Sequence, residues 1–250
     1  FLWLGICLNL GALIVFKYWD FGIQNIYSLL VVLGTPVPLP VLRLALPLGI
    51  SFYVFKHIGY LVDVRQKIYP ATKNFLLFTT FSAFFPQISA GPISSFQQTG
   101  DQLASLPTRL TSDFAYRGVL HISMGLAKKL LIADVLSGVL QTQLFAATTN
   151  SGVLWGWLSV LIFSMQLYFD FSGYTDIVLG IGFLFGVTLP PNFNNPYLAK
   201  NPRDFWQRWH MSLSNWFRLY LFTPISRGLL RRWGLKRSRP AQYAANMVTM

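Results

Sequence analysis

The sequence predicts an all-α protein, a polytopic bundle of transmembrane helices containing re-entrant or broken segments. Three observations predict it. Of the 250 residues, 53% are apolar and only 11% are charged, against about 25% charged in soluble domains. All eight acids are Asp, with no Glu, and the mean hydropathy is +0.46. Apolar runs approaching the ~20 residues that a helix needs to cross the hydrocarbon core recur along the chain. This composition excludes a disordered or collagenous chain, and Cys7, alone, excludes an internal disulfide framework.

Taken in order, the first candidate span is 1–16, and the second is 26–33 together with 41–62. Pro36, Pro38 and Pro40 divide the second, which predicts half-helices or a re-entrant piece. Non-helical backbone at membrane depth must be buried in protein or line a watery cavity, so this break points to a site within the bilayer. Further spans are expected at 75–90, 114–140, 152–169, 173–187 and 204–225, with another starting near 241. Polar loops fall at 63–74, 93–112, 141–151, 188–203 and 226–240. In the fourth, Asn192, Asn194 and Asn195 with Pro190, Pro191 and Pro196 predict a tight, ordered connection.

No internal repeat is visible, which weighs against an inverted-repeat transporter. The opening Phe1-Leu2-Trp3-Leu4 has no basic n-region and is not a signal peptide, and 243–250 reads as the start of another apolar segment. The expectation is a single transmembrane domain over 1–250, cut from the middle of a longer protein.

The charge of +12 is unevenly placed. Arg227, Arg231, Arg232, Lys236, Arg237 and Arg239 stand together with no acid among them. Such a cluster can bind nucleic acid. Beside apolar spans it predicts instead a cytoplasmic loop attracted to anionic headgroups, and no nucleic-acid partner.

Chemistry concentrates in 202–218. Read as one helix, Arg203, Gln207, His210, Ser214 and Arg218 form a polar stripe, and Trp206, Trp209, Leu213, Trp216 and Tyr220 form a second. Pro202 and Asp204 suit its N-terminus. His210 has two meanings in this pattern: an interfacial polar group anchored by tryptophans, or a neutral base facing a cavity, placed to take a proton from an attacking hydroxyl. Asp170 and Asp176 lie beside apolar spans, where a carboxylate is costly and is a functional candidate by default. Six residues apart, they occupy different helical faces and do not form a carboxylate pair, while Ser172-Gly173 predicts a helix break. Phe84 to Pro92 predicts a distorted helix end or re-entrant turn approached closely by another backbone. His57 and His121 are expected to be packing or interfacial residues, and no cluster suggests a metal. Neither a glycine-rich phosphate loop nor a nucleophile elbow is present.

Several segments resemble the membrane-bound O-acyltransferase family. They are Gly49-Ile50-Ser51-Phe52-Tyr53, Gly59-Tyr60-Leu61-Val62-Asp63, Phe85-Pro86-Gln87 through Ala90-Gly91-Pro92, Tyr168 through Asp176, Asn192 through Tyr197, and Asp204 through Ser214. Together, in this order and over about 1–250, they are similar to the bacterial branch that acetylates alginate, and more distantly to the D-alanyl transferases of teichoic acid. The resemblance implies that an acyl group, acetyl above all, passes from a cytoplasmic donor such as acetyl-CoA across the bacterial inner membrane towards a secreted polysaccharide. The resemblance further implies a periplasmic acyltransferase partner that completes that transfer, and no bound cofactor. It maps the first of two family histidines onto His210, with Gln207, Arg208, Ser214, Asp170 and Asp176 as the expected substrate-binding residues. The second histidine, in a Trp-His-Gly motif, is expected downstream of Met250, so the 250 residues alone are expected not to turn over. Phe222-Thr223-Pro224-Ile225-Ser226-Arg227 departs from the glycine-rich ending usual in alginate-type members, which leaves the acceptor polysaccharide open. Two other functions compete: a membrane scaffold that only recruits a periplasmic transferase, and a transporter path through Asp170 and Asp176.

Overall fold

The first helix, α1 (Leu2–Val32), carries no buried residue along its length. It belongs to a computed structural model that describes residues 2–35, 37–145 and 152–232, all helices and connecting turns, with no strand among the described residues. At 1.5 Å per residue α1 is about 46 Å long, more than the ~30 Å hydrocarbon core requires. It contains a π-helical turn at Ile14–Tyr18 and joins the expected spans 1–16 and 26–33 into one rod. The break expected between 33 and 41 is present and extends over 33–49, so that 41–49, expected to be helical, is not. There the chain runs back beside α1, with the Leu42 and Arg43 N–H groups donating to the Asp20 carboxylate at 2.8 and 3.0 Å.

Helix α2 (Ile50–Arg65) begins after Gly49, whose φ of +72° is left-handed. A Cβ on Gly49 would stand 1.9 Å from the Ile88 carbonyl oxygen, so only glycine fits. This is the close backbone approach expected of the Phe84–Pro92 segment. That segment follows the short helix α3 (Phe75–Ser82) and turns through a 3₁₀ element at Phe85–Gln87. The expected loop 93–112 contains a further helix, α4 (Phe96–Ala104), started by a reciprocal Ser95/Gln98 capping box.

Helix α5 (112–145) passes through two π-helical stretches and packs against α6 (Val153–Leu184) along much of its length. The predicted break at Ser172-Gly173 does not occur: α6 is one helix of 32 residues that unites the spans 152–169 and 173–187. The reason is packing. A Cβ on Gly125 would lie 2.5 Å from the Gly173 carbonyl oxygen, and one on Gly180 would lie 2.6 Å from that of Gly118. Glycines seven residues apart on each helix let the two backbones touch, as small residues do in membranes. The first half of α6 presents Val153, Leu154, Trp157, Val160, Leu161 and Phe163 to the outside. With α1, it is one of two described helices long and apolar enough to cross a membrane.

The core gathers where α2, α3 and α4 meet the end of α6. Phe81, Phe84, Phe96, Leu103, Val178, Leu179, Val187 and Leu189 are buried there.

The expected span 204–225 is also corrected. A five-residue helix, α7 (Pro202–Trp206), ends in a turn, and α8 (211–232) starts afresh. The expected span near 241 lies outside the described residues. So do most of the predicted loop at 141–151 and the basic residues Lys236, Arg237 and Arg239, whereas 226–232 is helical rather than loop.

Candidate functional site

Asn201 caps α7 by accepting the Asp204 N–H at 2.9 Å, and Pro202 fills the first helical position, as expected of those residues. The Arg208 Nε donates to Asp204 at 2.7 Å. With the Lys200 N–H also on it, the Asp204 carboxyl is held below the usual carboxylate range. The chain then turns, and His210 adopts a left-handed conformation, φ 42° and ψ 53°. An L-residue pays about 1–2 kcal/mol for this, so something must impose it.

The loop 188–203 does. The Asn194 N–H donates to the Arg208 carbonyl at 2.9 Å, and the Met211 N–H donates to the Asn192 carbonyl at 2.8 Å. The Ser212 hydroxyl donates to Asn192 Oδ1 at 2.5 Å and accepts the Ile93 N–H at 2.9 Å. Ser212 and Asn192 are both buried. Their hydrogen bonds tie two segments remote in sequence, the asparagine loop and the stretch of chain at Ile93, to the residues just after His210.

The two predicted stripes therefore do not exist as faces of one helix. Trp209 lies among Tyr168, Phe193 and Phe205. Trp216 and Tyr220 instead meet α2, donating to the Phe55 carbonyl and to Asp63, each at 2.8 Å. Trp206 is exposed. The His210 ring packs edge-on against Phe171 at 4.9 Å, and its buried Nδ1 has no hydrogen-bond partner among the described residues. Of the other candidates, Ser214 returns its N–H to the His210 carbonyl and its hydroxyl to that of Trp209. Arg208 is committed to Asp204, and Gln207 is exposed.

Asp170 and Asp176 do face different ways, and neither reaches His210. Each meets its own lysine from α5: Lys129 on Asp170 at 2.6 Å, and Lys128 on Asp176 at 2.5 Å. His57 is a packing residue, as expected, bridging Asn9 and Ser82. His121 is not only that, since it lines a cavity with Asp176. No three His, Cys or Asp side chains gather as metal ligands among the described residues.

Two cavities adjoin this junction. The larger, about 580 Å³, is lined by α2, by 93–98 and by α8, including Lys56, Asp63, Ser94, Asn215, Trp216 and Arg227. The smaller, about 230 Å³, lies between α5, α6 and the asparagine loop. Pro191 lines both; Met211 and Ser212 line the first, and Asn192 to Asn195 line the second. The Asn192–Ser212 hydrogen bond thus joins a residue of one wall to a residue of the other. His210 lines neither cavity, but its chain neighbour Met211 borders the larger, and Phe171, against its ring, precedes Ser172 of the smaller.

Sequence reasoning missed Lys56. It is buried and donates to the Phe81 carbonyl at 2.5 Å and to Gln87 Oε1 at 3.1 Å. All eight acids of the chain are among the described residues, and none pairs with Lys56 or Arg227. The larger cavity therefore carries two basic side chains, Lys56 and Arg227, beside Asp63. A lysine in an apolar stretch was the available signal.

The family model for membrane-bound O-acyltransferases matches residues 65–235. The chain is 39% identical over 222 residues to the probable alginate O-acetylase AlgI of Azotobacter vinelandii, covering 89% of this chain and 44% of that protein. It is 35% identical over 254 residues to the peptidoglycan O-acetyltransferase of Helicobacter pylori, covering 90% and 46%. Against the teichoic acid D-alanyltransferase of Bacillus subtilis the identity is 36% over 176 residues, covering 70% and 44%. The chain spans less than half the length of these relatives. Its ordered motifs, its exposed apolar helices and the family match agree: the chain belongs to the membrane-bound O-acyltransferase family.

Proposed function

We propose that the protein to which this chain belongs is an O-acyltransferase. It passes an acetyl group from an anionic thioester donor, acetyl-CoA, to a hydroxyl acceptor, for the O-acetylation of a secreted or cell-surface polysaccharide such as alginate. It sits as a multi-pass protein in the bacterial inner membrane and works with a periplasmic acyltransferase that completes the transfer. The observation that carries the reading is His210: its ring nitrogen is spared from structural hydrogen bonding, at a strained junction between two cavities. Strained backbone held in place by its surroundings is characteristic of functional sites.

The neutral imidazole accepts the proton of the attacking hydroxyl. The oxygen forms a bond to the thioester carbonyl carbon, the carbon–sulfur bond breaks, and the thiolate leaves with the proton. The Arg227 guanidinium and the donor N–H groups of Lys56 suit an anionic donor in the larger cavity. General-base assistance is worth about 10²–10⁴-fold. His210→Ala in the full-length protein is expected to cut polymer O-acetylation by that order while membrane insertion is unchanged. Wild-type acetylation in that variant refutes the role.

A further inference from the structure

The smaller cavity has no part in the chemistry assigned to His210, yet its walls are unusual. Among the residues that line it are His121, Lys128, Ser172, Asp176 and Asn192. Three of these carry a buried side-chain atom with no hydrogen-bond partner among the described residues: Nδ1 of His121, Oγ of Ser172 and Nδ2 of Asn192. Buried polar atoms are paired in the great majority of cases, so three such atoms around one cavity call for an explanation.

Ser172 is the most telling. On the same helix, the Ser159 and Thr175 hydroxyls donate to the carbonyl four residues back, at 2.8 and 2.9 Å. That local bond is the ordinary fate of a hydroxyl within a helix, and Ser172, only 2% exposed, does not make it. Asn192, fully buried, uses its Oδ1 for Ser212 and leaves its amide N–H₂ idle. The charges here, by contrast, are matched: Lys128 and Asp176 meet at 2.5 Å, and His121 Nδ1 stands 3.8 Å from the same carboxylate.

We infer that this cavity is a binding site for a neutral, hydroxyl-bearing ligand of the size of one sugar ring, held through Ser172, Asn192 and His121. A hydroxyl both donates and accepts, so it can satisfy the amide donor, the serine and either state of the imidazole nitrogen. The internal ion pair leaves no net charge to select an anion. The volume corresponds to about eight water molecules at liquid density. The site stands on the cavity alone and does not rest on the acyl-transfer reading; a neutral ligand is not a uronate unit of alginate, so the cavity is not assigned to that acceptor.

The test is saturation-transfer NMR on the purified full-length protein in lipid nanodiscs, with methyl α-mannopyranoside and its uronate counterpart as probes. The wild type is expected to bind the neutral glycoside in preference to the uronate. Ser172→Ala should weaken binding about fivefold, the loss of one hydrogen bond, and Ser172→Leu, which fills the space, should abolish it. Because the Ser172 hydroxyl has no partner in the empty protein, Ser172→Ala should not lower the thermal midpoint without ligand. No saturation in the wild type, equal saturation in all three proteins, or preference for the uronate overturns the proposal. So does a lowered midpoint for Ser172→Ala, which would give the hydroxyl a structural partner. Binding is read without turnover, so the outcome is separate from that of acyl transfer.

Discussion

His210 holds a backbone conformation that its own side chain does nothing to favour. The cost is met by Asn192, Asn194, Ser212 and Ile93, whose hydrogen bonds fix the chain on either side. This separates two effects that usually coincide in a histidine substitution. His210→Gly relieves the left-handed strain, although glycine also loosens the unfolded chain by about 0.5–1 kcal/mol. His210→Ala keeps the strain. Both remove the imidazole. The expected result is acetylation lost equally in both, with the thermal midpoint of the glycine variant at or above that of the alanine variant in detergent-solubilised protein. A midpoint lower for glycine would mean that the backbone there is not strained. The histidine itself was legible from its place in the family motif, but its conformation was not. The 3.6-residue periodicity of 203–220 is real in the sequence, and only hydrogen bonds from loops far away interrupt it.

At the scale of helices, α5 and α6 show why a local signal can mislead. Ser-Gly within an apolar run looks like a break, yet Gly173 lies where the Gly125 backbone presses closest, so the pair marks a contact rather than an end. The separation of Asp170 and Asp176 onto different faces was readable from their spacing. Their lysines were not, because adjacent Lys128 and Lys129 give no sign of which carboxylate each will meet. The Lys128–Asp176 pair is largely shielded, with side chains 28% and 15% exposed. Removing one partner strands a charge, whereas removing both need not be costly. Lys128→Met and Asp176→Asn are each expected to lower the thermal midpoint more than the double variant does, and a double variant equal to the sum of the singles would show the two side chains to be uncoupled.

Across the whole molecule, apolar surface and charge define a direction. The outward faces of α1 and of the first half of α6 are apolar, as a lipid-facing surface must be. The densest cation cluster begins at Arg227, on the rim of the larger cavity. If that cluster obeys the positive-inside rule, the larger cavity opens to the cytoplasm, and the donor enters beside Arg227. A single reactive thiol reads this directly: in a full-length protein cleared of its cysteines, Cys7 of this chain among them, Arg227→Cys places a probe at the rim. A membrane-impermeant maleimide is expected to label Arg227→Cys in inside-out vesicles and not in right-side-out ones, with labelling slowed by acetyl-CoA. Labelling from the outer face would invert the topology and put the larger cavity on the acceptor's side. Labelling from the inner face that acetyl-CoA leaves unchanged would keep the orientation but remove the donor from this cavity.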